Sequence, residues 1–166
     1  MRFQAEQRFP GVAPRAVAAM LVDPDFESRV ELPDLSLPEV VEHRVDGHDV
    51  VLRLRYEFVG RLDPVAVRLL GGKKLTWMQE LRLDVDSGRG TLQFAAEADP
   101  KRLYGDASVV IDGDASETRR RFDGELVVKA PVVGGMAERR IVPGLVRRLD
   151  VEAEAVRQEL QRASDG

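Results

Sequence analysis

The side chains able to do chemistry are few. His43 and His48 are the two histidines of this chain, and it contains no cysteine. Disulfides, thiolate metal sites and a cysteine nucleophile are therefore excluded within it. His48 belongs to Asp46-Gly47-His48-Asp49, a turn-rich segment that reads as a solvated hairpin tip. His43 alternates with Val41 and Val45, which predicts that it points inward. There it would serve as a hydrogen-bonded wall residue, a ligand contact or an acid–base group. Two distant histidines do not supply enough ligands for a metal, so neither a metal site nor a cofactor is expected.

Two motifs come close to known sites and fail at defining positions. Gly72-Lys73-Lys74 looks like the end of a phosphate loop, but Val67 stands where the first glycine belongs and Lys74 where serine or threonine belongs. Asp84-Val85-Asp86-Ser87-Gly88 looks like a calcium loop. Its sixth position is Arg89 instead of glycine and its twelfth is Ala95 instead of glutamate, so it reads as a tight turn. No serine sits in a Gly-x-Ser-x-Gly setting.

A more useful set is polar or aromatic and sits at apolar positions. Gln7 falls between Ala5 and Phe9, Arg120 between Thr118 and Phe122, and Tyr56 beside Leu54 and Phe58. Trp77 and Gln79 alternate with Leu75 and Leu81. Such residues either complete a core with their polar tips satisfied or supply the few placed polar groups of an apolar cavity. A slip of one residue between Leu75 and Val85 would turn Met78, Glu80 and Arg82 inward instead.

These residues lie on elements that the pattern predicts. Arg2 to Phe9 alternates strictly, as a half-buried strand does, and ends at Pro10-Gly11. Pro14 opens a helix whose buried face is Val17, Met20 and Leu21. Asp23 caps a second short helix anchored by Phe26 and Val30. Strands follow at 39–45, 50–59, 75–85, 91–97, 104–111 and 118–130. Their short turns imply an antiparallel sheet of about seven strands. Pro64 to Leu70 reads as a short helix closed by Gly71-Gly72, and the stretch from Gly60 to Lys74 is either a candidate lid or a fixed edge helix.

The last helix is expected from about Gly135 to Arg162. Val142, Leu145, Leu149, Ala153, Val156 and Leu160 form one stripe along it. Pro143 lies away from the stripe and is expected to bend the helix around what the stripe covers. Gly134-Gly135 is expected to supply the positive φ or close approach of a sharp corner. Glu138 is expected to favour the dipole of the first turn.

This order of elements resembles the START-like (SRPBCC) superfamily, the helix-grip fold of the birch pollen allergen, lipid-transfer domains and polyketide cyclases. MRFQAEQRFPGVAPRAVAAMLVDPDF resembles its opening and VKAPVVGGMAERRI its strand-to-helix joint. LLGGKKLTWMQE, Leu69 to Glu80, is similar to a bacterial branch known as a domain of unknown function. The resemblance implies an α+β fold in which a curved antiparallel sheet wraps a long C-terminal helix and leaves a cavity. Its candidate lining is Gln7, His43, Leu54, Tyr56, Trp77, Gln79, Arg120, Leu145 and Leu149. The implied partner is a small hydrophobic molecule or lipid held by a carrier. The superfamily also implies two alternatives, a polyketide cyclase/aromatase-like enzyme using His43, Tyr56 or Glu80, or a chaperone-activator-like interaction module.

Composition narrows the classes. The 166 residues suit one domain, 1–166. Hydrophobic residues make up 43% and charged residues 33%, as in a globular chain. The net charge of −4 gives no basic surplus for nucleic acid. Arg119-Arg120-Arg121-Phe122, the densest basic run, reads as a solvated strand face. MRFQAEQRF contains no signal-like apolar stretch. No run approaches the ~18 apolar residues of a bilayer span. A cytoplasmic protein without membrane insertion is the expectation, and the excess of arginine over lysine suggests a bacterial source.

Overall fold

The computed structural model describes residues 1–166. The elements run β1 (Arg2–Pro10), α1 (Pro14–Leu21), α2 (Pro24–Glu27), β2 (Glu39–Asp46), β3 (Asp49–Glu57), α3 (Pro64–Leu70), β4 (Thr76–Asp84), β5 (Arg89–Ala96), β6 (Leu103–Gly113), β7 (Glu117–Val128) and α4 (Gly134–Asp165). The seven strands form one sheet in the order β1-β7-β6-β5-β4-β3-β2. Every pair is antiparallel. This is the α+β helix-grip architecture: an open sheet, a pair of short helices after β1, and a long terminal helix across the inner face.

Alternation decides which side chains face the helix. On β1 and β7 the inner residues are Phe3, Gln7 and Phe9, and Thr118, Arg120, Phe122 and Leu126, all buried. On β3 they are Val50, Leu52, Leu54 and Tyr56. Tyr56 pairs with Trp77, Leu54 with Gln79 and Arg53 with Glu80, so Trp77 and Gln79 face inward and the slipped register of β4 does not occur. The reason is electrostatic as well as steric. Glu80 on the outer face lies 3.3 Å from Arg53 and 2.5 Å from Arg82, which a slip would bury.

The apolar face is buried in two separate clusters. The larger one joins α1, α2 and α4 to β1, β6 and β7 through Phe9, Val17, Phe26, Ile111, Phe122, Ala153 and Val156. The smaller one is Leu52, Leu54 and Tyr56, covered by Leu32, Leu35 and Trp77. The helix α4 packs on β1, β7 and α1. On the far half of the sheet the loop residues Leu32 and Leu35 pack over Leu52, Leu54 and Tyr56.

The turns explain the near-miss motifs. The Asp84 carboxylate accepts hydrogen bonds from the Asp86 and Ser87 amides, both at 2.9 Å. It is occupied in making a turn, and those bonds hold its carboxyl below the usual range. Asp23 caps α2 by accepting from the Asp25 amide at 2.9 Å, as its position predicts. Pro143 leaves α4 continuous over 32 residues, about 48 Å at ~1.5 Å per residue, and its ring is exposed.

The joint between β7 and α4 differs from expectation. The left-handed residue there is Val132, at φ 70°, and both glycines keep ordinary φ. A Cβ at Gly134 would lie 2.4 Å from the Val128 carbonyl oxygen, whereas one at Gly135 would meet nothing within 4 Å. Gly134 therefore serves close approach, and Gly135 has no steric duty. Glu138 lies past the first turn and accepts the Val128 amide at 3.0 Å, stitching strand to helix instead of serving the dipole.

Urea denaturation separates the two glycines. Gly135→Ala is expected to be neutral or stabilising by up to ~1 kcal/mol, because alanine is the better helix former. Gly134→Ala is expected to lower stability by about 1–3 kcal/mol, because the clash is with backbone. Equal effects would show that the corner does not depend on close approach.

Candidate functional site

Between the two apolar clusters lies a cavity of about 320 Å³. Its walls come from both sides of the grip: Tyr56, Phe58, Trp77, Gln79, Phe94 and Leu126 from the sheet, and Ile141, Leu145, Arg148, Leu149 and Glu152 from α4. Leu32 and Leu35 close one side and Ala66 of α3 another. A neighbouring chamber of about 430 Å³ lies toward Val128, Met136 and Leu69. The two share Asp63, Ala66, Leu75, Ala96, Leu103, Arg140 and Ile141 as a common partition.

The aromatic part of the wall is stacked. The Tyr56 and Trp77 rings lie 5.7 Å apart at 24°, within the range of favourable offset stacking. Phe94 owes its position to Gly105, its cross-strand partner, where a Cβ would come within 2.2 Å of the ring. Burial, followed by the Glu27 and Glu152 carboxylates, raises the Tyr56 phenol well above its ordinary range. The phenol is held neutral, a donor and not a base.

Behind one wall sits a buried polar knot. Arg120, 1% exposed, is the largest fully buried side chain. Its Nε donates to Gln7 Oε1 at 3.0 Å, and one terminal nitrogen donates to the Leu149 carbonyl at 2.9 Å. The other terminal nitrogen pairs with Glu152. The guanidinium lies 4.9 Å from the Phe122 ring centroid and 6.0 Å from that of Phe9. Gln7 passes the connection on, donating to Asp150 at 3.0 Å. The knot joins β1, β7 and α4, and Glu152 belongs both to it and to the cavity wall.

Glu27 on α2 is 2% exposed, and both its carboxyl oxygens lack a hydrogen-bond partner. Burial, with Glu152 and Asp23 adding to it and Arg120 opposing, pushes this carboxyl well above the usual range. One buried arginine thus faces two acids: Glu152 is paired with it, and Glu27 is left without a hydrogen-bond partner.

The mouth is basic and helix-covered. Half-buried Arg148 stands 5.9 Å from the ring centroids of both Phe58 and Trp77. Its Nε donates to the Pro33 carbonyl at 3.3 Å. Asp63 caps α3 by accepting the Ala66 amide at 2.8 Å and pairs with Arg140 of α4 at 2.5 Å. Gly71, at φ 59°, ends α3 in the left-handed conformation.

A family model described as "Protein of unknown function (DUF2505)" matches residues 4–160. The chain belongs to that family. Among solved structures it is similar to TTHA0849 from Thermus thermophilus, with 18% identity, a TM-score of 0.66 and 99% of each chain covered. It is also similar to the Zhui aromatase/cyclase from Streptomyces sp. R1128, with 16% identity, a TM-score of 0.64 and coverage of 98% of this chain and 95% of that one. Ara h 8.0201 matches with 10% identity, a TM-score of 0.60 and 98% of each chain covered. At these identities the likeness is one of fold, the helix-grip architecture. No curated protein matches the sequence.

In this DUF2505 member the nine candidate positions divide. Tyr56, Trp77, Gln79, Leu145 and Leu149 come together on the cavity wall. Leu54 is buried in the smaller cluster and does not reach the cavity. Gln7 and Arg120 form the knot behind the wall. This also corrects the reading of Arg119 to Phe122 as a solvated face, since Arg119 and Arg121 are exposed but Arg120 is not. His43 is exposed. It pairs with Leu52, so its register is inward, but β2 is the sheet edge and the inner side of that edge is uncovered.

Sequence reasoning missed Glu27, Arg148 and Glu152. Glu152 lies three residues after Leu149 on the apolar stripe, and a charge on that face was a usable signal. Arg148 flanks the stripe, where its aliphatic stem permits burial. Glu27 sits in a four-residue helix too short for any periodicity.

Two measurements test the knot. Arg120→Met is expected to cost about 3–5 kcal/mol in urea denaturation, because it strands Glu152 in the interior. Arg120→Met with Glu152→Leu should recover part of that loss, and no recovery would show that packing alone holds the joint. Glu27 binds its proton more tightly folded than unfolded. Its stabilising contribution is therefore complete below about pH 4.5, the ordinary glutamate value, and is lost as pH rises through the raised folded value. The slope is at most ~1.4 kcal/mol per pH unit. Glu27→Gln should remove this component from the pH–stability curve, and an unchanged curve would count against a protonated Glu27.

Proposed function

We propose that residues 1–166 form a binding module for a small hydrophobic molecule, held between the far half of the sheet and α4. The observation that carries this reading is the cavity between two apolar clusters, with walls mainly aliphatic and aromatic. A few polar groups, Tyr56, Gln79 and Glu152, are set into those walls, as in sites that take small ligands. Burying about 300 Å² of apolar ligand surface would gain on the order of 7 kcal/mol, before the costs of association. α3 is the proposed lid, tied to α4 by Asp63–Arg140.

Binding is favoured over catalysis by the state of the candidate acids and bases. His43 is exposed and Glu80 is paired on the outer face with Arg53 and Arg82. Tyr56, the one candidate on the wall, has its phenol pushed up by burial, which disfavours it as a base. The fold shared with the Zhui aromatase/cyclase brings none of these three together. The interaction-module reading is disfavoured by the outer sheet face, where Arg53, Arg55, Arg82, Arg119 and Arg121 are paired with acids.

Titration with 1-aminoanthracene, which fluoresces more strongly in apolar surroundings, tests the reading. The natural chain is expected to give saturable enhancement. Ala66→Phe, which fills the partition between the chambers, should weaken it at least tenfold with the circular dichroism spectrum unchanged. Enhancement that never saturates, or that Ala66→Phe leaves intact, would remove the cavity as the site.

A further inference from the structure

The charged groups around the cavity do not cancel. Asp63 and Arg140 neutralise each other at 2.5 Å. Glu152 is neutralised from behind by Arg120. Arg61 and Arg148 remain on the wall without a carboxylate partner. Arg61 is exposed, where water screens it. Arg148 is half-buried, and burial lowers the pKa of its guanidinium from the ordinary arginine value. Asp34 attracts it from beyond ion-pair distance.

The setting of Arg148 orients it. Its stem leaves α4 two turns after Ile141, its Nε is spent on Pro33, and its plane lies near the faces of Phe58 and Trp77. Two terminal nitrogens remain to donate. A guanidinium fixed at one corner and flanked by rings presents a fork that a carboxylate fits with two parallel hydrogen bonds. The apolar space beyond it, lined by Phe94, Leu145 and Leu126, suits a hydrocarbon body.

We infer that the occupant is an amphiphile with a carboxylate head, its two oxygens received by Arg148 over the Trp77–Phe58 rings and its apolar body in the 320 Å³ cavity. This rests on the binding-module reading and names the ligand class for the same site. It assigns Arg148 as a specificity-determining residue, since a neutral head of equal length leaves the guanidinium unpaired.

Trp77 is the one tryptophan of the chain and lies beside both Arg148 and the cavity, so its emission reports occupancy. The experiment titrates the natural chain and Arg148→Gln with decanoate and with 1-decanol at pH 8. Decanoate is expected to bind the natural chain at least about tenfold more tightly than decanol, the difference one charge-assisted hydrogen bond supports. Arg148→Gln should lose about ten- to a hundredfold for decanoate and less than about threefold for decanol. Equal affinities of the natural chain for the two probes overturn the inference and leave the apolar cavity standing, a comparison that needs no variant to fold. Parallel losses of both probes in Arg148→Gln overturn the assignment of Arg148 as well. Binding of neither probe overturns the inference together with the reading beneath it.

Discussion

A buried guanidinium has to be surrounded by acceptors, and in this protein that requirement joins three parts of the chain distant in sequence. Arg120 on β7 draws Gln7 from β1, and Glu152 and the Leu149 carbonyl from α4. The cost of burying a charge is large unless every donor is met. The helix is therefore held at one height and one rotation over the β1–β7 end of the sheet. Phe9 and Phe122 flank the cation, so the apolar packing there follows the same geometry.

With the helix pinned at that end, the rest of the inner face cannot be covered in the same way. Leu52, Leu54 and Tyr56 are closed over by Leu32, Leu35 and Trp77, which form their own small cluster. The gap between this cluster and the helix is the cavity. Glu152 stands at the border, with Arg120 on one side and the open space on the other. The contact that fastens the grip therefore also supplies part of the wall, and Glu27 beside it is left without a hydrogen-bond partner, its carboxyl pushed up by burial.

The charges follow a simple division. On the outer face arginines and acids face one another across strands, as in Arg53 with Glu42 and Glu80, and solvent weakens each pair. Around the cavity the pairs are fewer and the dielectric lower, so one unpaired cation weighs more. The helix-grip fold permits such a chamber without dictating its contents. In this member the wall carries the Tyr56–Trp77 stack, with the Arg148 guanidinium beside Phe58 and Trp77.

Local rules made much of the fold legible in the sequence. Alternation on β1, β3 and β7, proline and aspartate at the helix starts, and the spaced stripe of α4 each express a constraint carried by a few neighbouring residues. Five of the nine candidate wall positions were legible for the same reason. Gln7, His43, Leu54 and Arg120 do not line the cavity, and distance along the chain decides this. His43 has an inward register but lies on an edge that nothing covers. Gln7 and Arg120 point inward but are spent on each other, Asp150 and Glu152. By itself the sequence determined the elements, their faces and the α+β order, because periodicity and capping are short-range. The tertiary structure alone decided which buried polar groups are satisfied and which face empty space, because that depends on partners that folding brings together from the two ends of the chain.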